Sequence, residues 1–126
     1  MSTRVLIVDD NPVNLKLGTD VLEMEGYAVE KARDAEQAQE MLRNTAPDLI
    51  LMDIALPGMD GLTLTRKLKA DARLKDIPVV AMTAFAMKGD EQKALDAGCN
   101  GYITKPIDTR RLPEQVAAYL RRGAKK

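Results

Sequence analysis

At 126 residues the chain has the length of one ordinary domain and is too short for two independently packed cores. A 45% hydrophobic share supports a real core and 30% charged residues wet the surface, which excludes wholesale disorder. Nineteen basic residues balance nineteen acidic ones, which removes the electrostatic case for a nucleic-acid backbone or an anionic membrane as main partner.

There is no histidine, so no histidine base, zinc ligand or phosphohistidine can reside on this chain. Cys99 is the only cysteine and cannot form an internal disulfide. No apolar run reaches the roughly 20 residues of a membrane helix, and the first residues lack signal-peptide character. A cytoplasmic, reducing setting is the expectation. Four aromatics, Tyr27, Phe85, Tyr102 and Tyr119, are too scattered for a base-stacking platform.

Taken in chain order, an apolar run at 5–8 precedes an amphipathic stretch at about 13–25, with Gly26 just beyond it. A weaker run at 28–31 suits a sheet edge and is followed by a helical stretch at 35–45. The run at 49–52 leads to a helix at 60–70, and the run at 79–82 to a helix at 88–97 with Gly98 after it. A short strand at 102–104 then feeds a last helix at 108–122, ended by Gly123. The runs at 5, 49 and 79 are continuously apolar, as parallel strands covered on both faces are. Five such βα units predict an α/β fold with an open, doubly wound parallel sheet, because right-handed crossovers leave few alternatives. The expected domain is 1–122, with 123–126 a frayed basic tail.

Ligands of such sheets bind beyond the carboxyl ends of the strands, at the switch point. Asp9 and Asp10 follow the first run, Asp53 the third, Thr83 the fourth, and Lys105 with Pro106 the fifth. Any one Asp in such a place is commonly a helix cap or turn residue, Thr83 a cap, and Lys105 a solvated charge. Brought to one edge, three carboxylates repel unless a cation sits among them, and an all-oxygen set selects a hard ion such as Mg²⁺. A carboxylate facing that ion can attack phosphorus, with a hydroxyl and an ammonium serving the transferring oxygens.

These residues carry a resemblance. Val8-Asp9-Asp10, Leu51-Met52-Asp53, Leu56-Pro57-Gly58-Met59-Asp60-Gly61, Met82-Thr83-Ala84 and Lys105-Pro106 together resemble the receiver domain of two-component response regulators, the CheY-like family. The stretch 83–91 is similar both to single-domain regulators and to receivers of hybrid kinases. The resemblance implies a flavodoxin-like (βα)5 sheet in the order 2-1-3-4-5. It implies Asp53 as phosphoacceptor, Asp10 and the Ala55 carbonyl as Mg²⁺ ligands with Asp9 nearby, and Thr83 and Lys105 at the phosphoryl group. Tyr102 matches the aromatic that turns inward on activation. The implied donor is a histidine kinase or histidine phosphotransferase, and the implied output is a protein target, with no direct nucleic-acid or membrane contact.

On the first helix, Leu17, Val21 and Leu22 share a face with Gly18, and Leu15 points elsewhere, so Leu15 is expected to be exposed and to dock the kinase with Pro106 and Ile107. Ala55 and Phe85 stand where related receivers carry polar residues that orient water, which implies slow loss of the phosphoryl group. Two other classes share parts of this pattern. An aspartyl-phosphate phosphohydrolase would place Asp-x-Asp after the first strand, and a flavin carrier would place a phosphate-cradling loop there. Asp9-Asp10-Asn11-Pro12 suits neither.

Overall fold

The computed structural model describes residues 3–54, 61–83, 90–104 and 108–124. Among the described residues ten elements alternate: β1 (Arg4–Val8), α1 (Pro12–Met24), β2 (Ala28–Ala32), α2 (Ala35–Leu42), β3 (Leu49–Asp53), α3 (Gly61–Ala70), β4 (Val79–Thr83), α4 (Asp90–Ala97), β5 (Gly101–Thr104) and α5 (Leu112–Ala124). All the strand pairs are parallel, and the sheet order is β2-β1-β3-β4-β5. This is the flavodoxin-like arrangement expected from the sequence.

Side chains alternate across the pleat, so each central strand feeds two cores. Leu6, Val8, Ile50, Met52, Val79 and Ala81 meet α2, α3 and α4 through Ala38, Leu42, Leu64, Leu68 and Ala94. Val5, Ile7, Leu49, Leu51, Val80 and Met82 meet α1 and α5 through Leu15, Leu22, Leu112 and Val116. Both faces being covered is why these runs read as continuously apolar. Each fully buried Leu or Ile contributes about 2 kcal/mol of transfer free energy.

Element ends follow from local chemistry. Asn11 caps α1, its side-chain oxygen accepting from the N–H groups of Val13 (2.9 Å) and Asn14 (3.3 Å), and Pro12 occupies the first helical position, where no N–H is needed. Gly26 and Gly98 adopt positive φ, 92° and 109°, as expected after α1 and α4. α2 is three residues shorter than the periodicity suggests, because Arg43 and Asn44 turn off with i→i−3 bonds to Glu40 and Met41.

Three expectations are corrected. The last helix starts at Leu112 and not at 108, since Asp108 closes a turn by accepting from the Arg110 N–H at 2.9 Å. Gly123 lies inside α5, which runs to Ala124, so it does not end the helix; an internal Gly costs only about 1 kcal/mol. Leu15 is 6% exposed and packs with Val5, Ile7 and Leu22, so it is a core residue. The buried face of α1 is Leu15, Gly18, Thr19 and Leu22, a regular i, i+3, i+4, i+7 stripe. Val13, Leu17 and Met24 are the exposed apolar residues of that helix.

Candidate functional site

The strand order places the switch point between β1 and β3, whose connections depart to opposite sides. Val8 pairs in register with Met52, so the next residues, Asp9 and Asp53, emerge side by side at the carboxyl edge. Asp9 remains tied to the sheet by its N–H, which donates to the Ala32 carbonyl at 3.0 Å. Asp53 is the last residue of β3, paired with Met82, and the Ile54 N–H donates to the Met82 carbonyl at 3.2 Å. Asp9 and Asp53 are thus fixed by backbone on two central strands.

Asp9 and Asp53 are buried and Asp10 is exposed, and carboxylate oxygens from the three lie within 4.8 Å of one another. Two buried carboxylates and a third at the rim repel at such separations. One oxygen of Asp9 accepts from the Asn11 N–H at 2.9 Å, which sets the plane of that carboxylate. The donor set is all oxygen, which is the chemistry of a hard divalent cation. The residues therefore fit a hard divalent cation such as Mg²⁺.

Thr83 closes β4 opposite Thr104, bringing the fourth strand to the same edge. Tyr102 is half-buried on β5 beside Ala81, packed against the core of the α3 and α4 side. Ala55, Phe85, Lys105, Pro106 and Ile107, and the Thr83 hydroxyl, lie outside the described residues.

Two groups of residues around Asp9 and Asp53 escaped the reading of the sequence. Asn11 both caps α1 and orients Asp9 through its backbone; an Asn-Pro pair before an amphipathic stretch is the available signal. Gly61 approaches Asp53 so closely that a Cβ there would collide with the Asp53 carbonyl oxygen, and the Thr65 hydroxyl donates to the Gly61 carbonyl at 2.8 Å. Nothing local in the sequence signals that contact. Cys99 is buried with its Sγ 3.8 Å from Thr65 Oγ1, and burial pushes its thiol pKa up against smaller opposing effects of Thr65 and Lys69.

Comparison with known proteins agrees with this architecture. Residues 5–117 match the response regulator receiver domain. The polar-differentiation response regulator DivK of Brucella ovis is 48% identical over 120 residues, covering 95% of this chain and 98% of that protein. A CheY-like receiver domain protein from Methanospirillum hungatei superposes with a TM-score of 0.91 at 33% identity, covering 99% of this chain and 98% of the other. The receiver domain of a sensor histidine kinase from Pseudomonas aeruginosa, with a magnesium ion coordinated in its active-site cleft, gives a TM-score of 0.87 at 34% identity, with 95% and 98% covered. A match over 5–117 and a relative spanned nearly end to end lead to one assignment: this chain belongs to the response regulator receiver domain family of two-component signalling.

Proposed function

We propose that the chain accepts a phosphoryl group on Asp53 and converts that event into a change of protein binding. The observation that carries this reading is the meeting of Asp9, Asp10 and Asp53 within 4.8 Å at the switch point. Asp10, Asp53 and the Ala55 carbonyl would hold Mg²⁺, with Asp9 adjacent, as the relative from Pseudomonas aeruginosa holds a magnesium ion in its cleft. Bound there, the ion neutralises charge developing on the phosphoryl oxygens. The Asp53 carboxylate supplies the electron pair for the new O–P bond as the N–P bond to the donor's imidazole breaks, and the imidazole leaves with that pair. The pair of carboxylates at 9 and 10 disfavours approach of the anionic donor without a cation, which makes acceptance metal-dependent.

Thr83 and Lys105 act on the transferred oxygens, and Tyr102 couples their movement to a surface near α4 and β5. The donor is a histidine kinase or histidine phosphotransferase, and a protein target reads the outcome, in the cytoplasm. The chain is a switch with self-catalysed acceptance and slow self-hydrolysis, slow because Ala55 and Phe85 offer no polar side chain to align water. Docking of the donor belongs to Val13 and Leu17, exposed on α1 next to the acidic edge, together with Pro106 and Ile107.

Incubation with acetyl phosphate and Mg²⁺ tests the reading. Intact mass is expected to gain one phosphoryl group, absent in Asp53→Asn and absent when EDTA replaces Mg²⁺. Equal labelling of Asp53→Asn would overturn the acceptor assignment.

A further inference from the structure

We infer that Thr65, a buried residue of α3, is a positioning residue for the acceptor Asp53, acting through the Gly61 carbonyl. The inference rests on the assignment of Asp53 as phosphoacceptor and adds to it a second tier of control that no carboxylate provides.

The geometry starts at Gly61, the first residue of α3. A Cβ on this residue would overlap the Asp53 carbonyl oxygen and stand 2.9 Å from Met52 Cγ, so the α3 start rests directly on the end of β3. Only a glycine allows two backbones to approach this closely. Gly61 and Asp53 are thus in contact although residues 54–60 separate them in sequence. Whatever holds Gly61 in place therefore holds the peptide of Asp53.

Thr65 is that hold. It is fully buried, and its hydroxyl donates to the Gly61 carbonyl at 2.8 Å. In a helix interior a Thr that bonds four residues back gives little net stability and tends to bend the helix, so stability alone does not call for one here. A Val would fill the same volume without a hydroxyl to bury. The bond is also fixed from behind: the Cys99 Sγ, at the turn between α4 and β5, sits 3.8 Å from the same Thr65 Oγ1, which leaves the hydroxyl proton directed at Gly61. Buried and shielded from water, the Thr65 bond fixes the first turn of α3 more firmly than a solvated one would. The chain of contact runs Cys99, Thr65, Gly61, Asp53, from the β5 side of the sheet to the acceptor.

Acceptor geometry matters because attack on phosphorus needs the carboxylate in line with the leaving nitrogen, and small misplacements of a reacting group are costly in rate. Loss of the Thr65 bond frees the Gly61 peptide to shift, and the Asp53 peptide with it.

The full chain is compared with Thr65→Val, Thr65→Ser and Cys99→Ala in two measurements: the rate of Mg²⁺-dependent labelling by acetyl phosphate, and the carbonyl ¹³C resonance of Asp53 without any donor. Thr65→Val, the same shape without the hydroxyl, is expected to label about tenfold more slowly and to shift the Asp53 resonance. Thr65→Ser, which keeps the hydroxyl, is expected within about twofold of the parent rate, with the resonance restored. Cys99→Ala removes the support behind Thr65 but leaves the Thr65 bond itself, so it is expected to lower the melting temperature and to slow labelling by less than Thr65→Val does. A folded Thr65→Val with parent rate and resonance would overturn the inference. So would a Thr65→Ser as slow as Thr65→Val, or a Cys99→Ala slowed to the same degree, since either result would make the effect one of packing. Should Thr65→Val not fold, Thr65→Ala against Thr65→Ser makes the same comparison. Failure of the acceptor assignment is seen separately, as labelling that survives in Asp53→Asn.

Discussion

Thr19 and Thr65 are both buried on helices, and their hydroxyls are treated differently. That of Thr65 bonds the Gly61 carbonyl, whereas that of Thr19 on α1, a residue 6% exposed, has no hydrogen-bond partner among the described residues. A buried hydroxyl without a partner carries an uncompensated desolvation cost of about 1–3 kcal/mol. Thr19→Val keeps the branched shape and removes the hydroxyl, so it is expected to raise stability by about 1 kcal/mol in a denaturant titration. A loss of that size would show that the hydroxyl is bonded in solution. Cys99 permits a prediction with a sign. Burial raises its thiol above the ordinary value of 9.0, so the folded state holds the proton more firmly than the unfolded chain does. The contribution to stability is then fully present below 9.0 and is lost as pH rises through the higher folded value. The alkaline fall in stability is expected to flatten in Cys99→Ala, and identical pH profiles for the two proteins above pH 9.0 would contradict it.

At the scale of the element, α1 shows what periodicity reads well and what it does not. The helix and both of its ends were legible, to within a residue, from the amphipathic stretch at 13–25 and Gly26. Its rotational phase was not, because Leu17, Val21 and Leu22 form an apolar arc as persuasive as the true one. The phase is settled by a close approach: a Cβ at Gly18 would stand 3.1 Å from Ile7 Cδ1, so the helix drops onto β1 at this point. That seats Leu15 and Leu22 in the core with polar Thr19 between them, a residue no hydrophobic count selects. The consequence is that Leu17, and not Leu15, is the leucine available to the proposed docking surface. Leu15→Asp places a charge in the core and is expected to cost about 3 kcal/mol or more, slowing labelling by every donor through unfolding. Leu17→Asp, at 36% exposure, is expected to change stability by less than about 0.5 kcal/mol. It is expected to slow transfer from a cognate histidine kinase while acetyl phosphate labelling stays at the parent rate. Equal slowing with both donors would remove Leu17 from the docking surface.

Across the whole molecule, the strands were legible because burial on both faces leaves continuous apolar runs, and the site was legible because those runs end in Asp9, Asp10 and Asp53. Periodicity left the sheet order open; it came with the resemblance to a family, and the register of Val8 with Met52 turns it into adjacency of Asp9 and Asp53. Contacts such as Gly61 on Asp53 stayed hidden because they depend on the distance between two backbones, which no pattern along one chain encodes. The clustering has a cost that the fold itself must bear. Three carboxylates within 4.8 Å, two of them buried, oppose folding when no cation is present. In metal-free buffer, Asp53→Asn removes one charge at nearly constant volume and is expected to melt above the parent protein, by an amount worth about 1 kcal/mol. On the proposed reading Mg²⁺ would bind only where the three are assembled, so it is expected to stabilise the folded state by mass action, about 2.7 kcal/mol at a hundred times its Kd. For a domain of this size that is a rise of roughly 10 °C in melting temperature. In Asp53→Asn the rise is expected to shrink or vanish, so that the order of stability inverts: the variant melts higher without Mg²⁺ and the parent higher with it. Thermal scans of both proteins across a Mg²⁺ series check the inversion, and parallel curves at every concentration would show that the carboxylates do not share a cation.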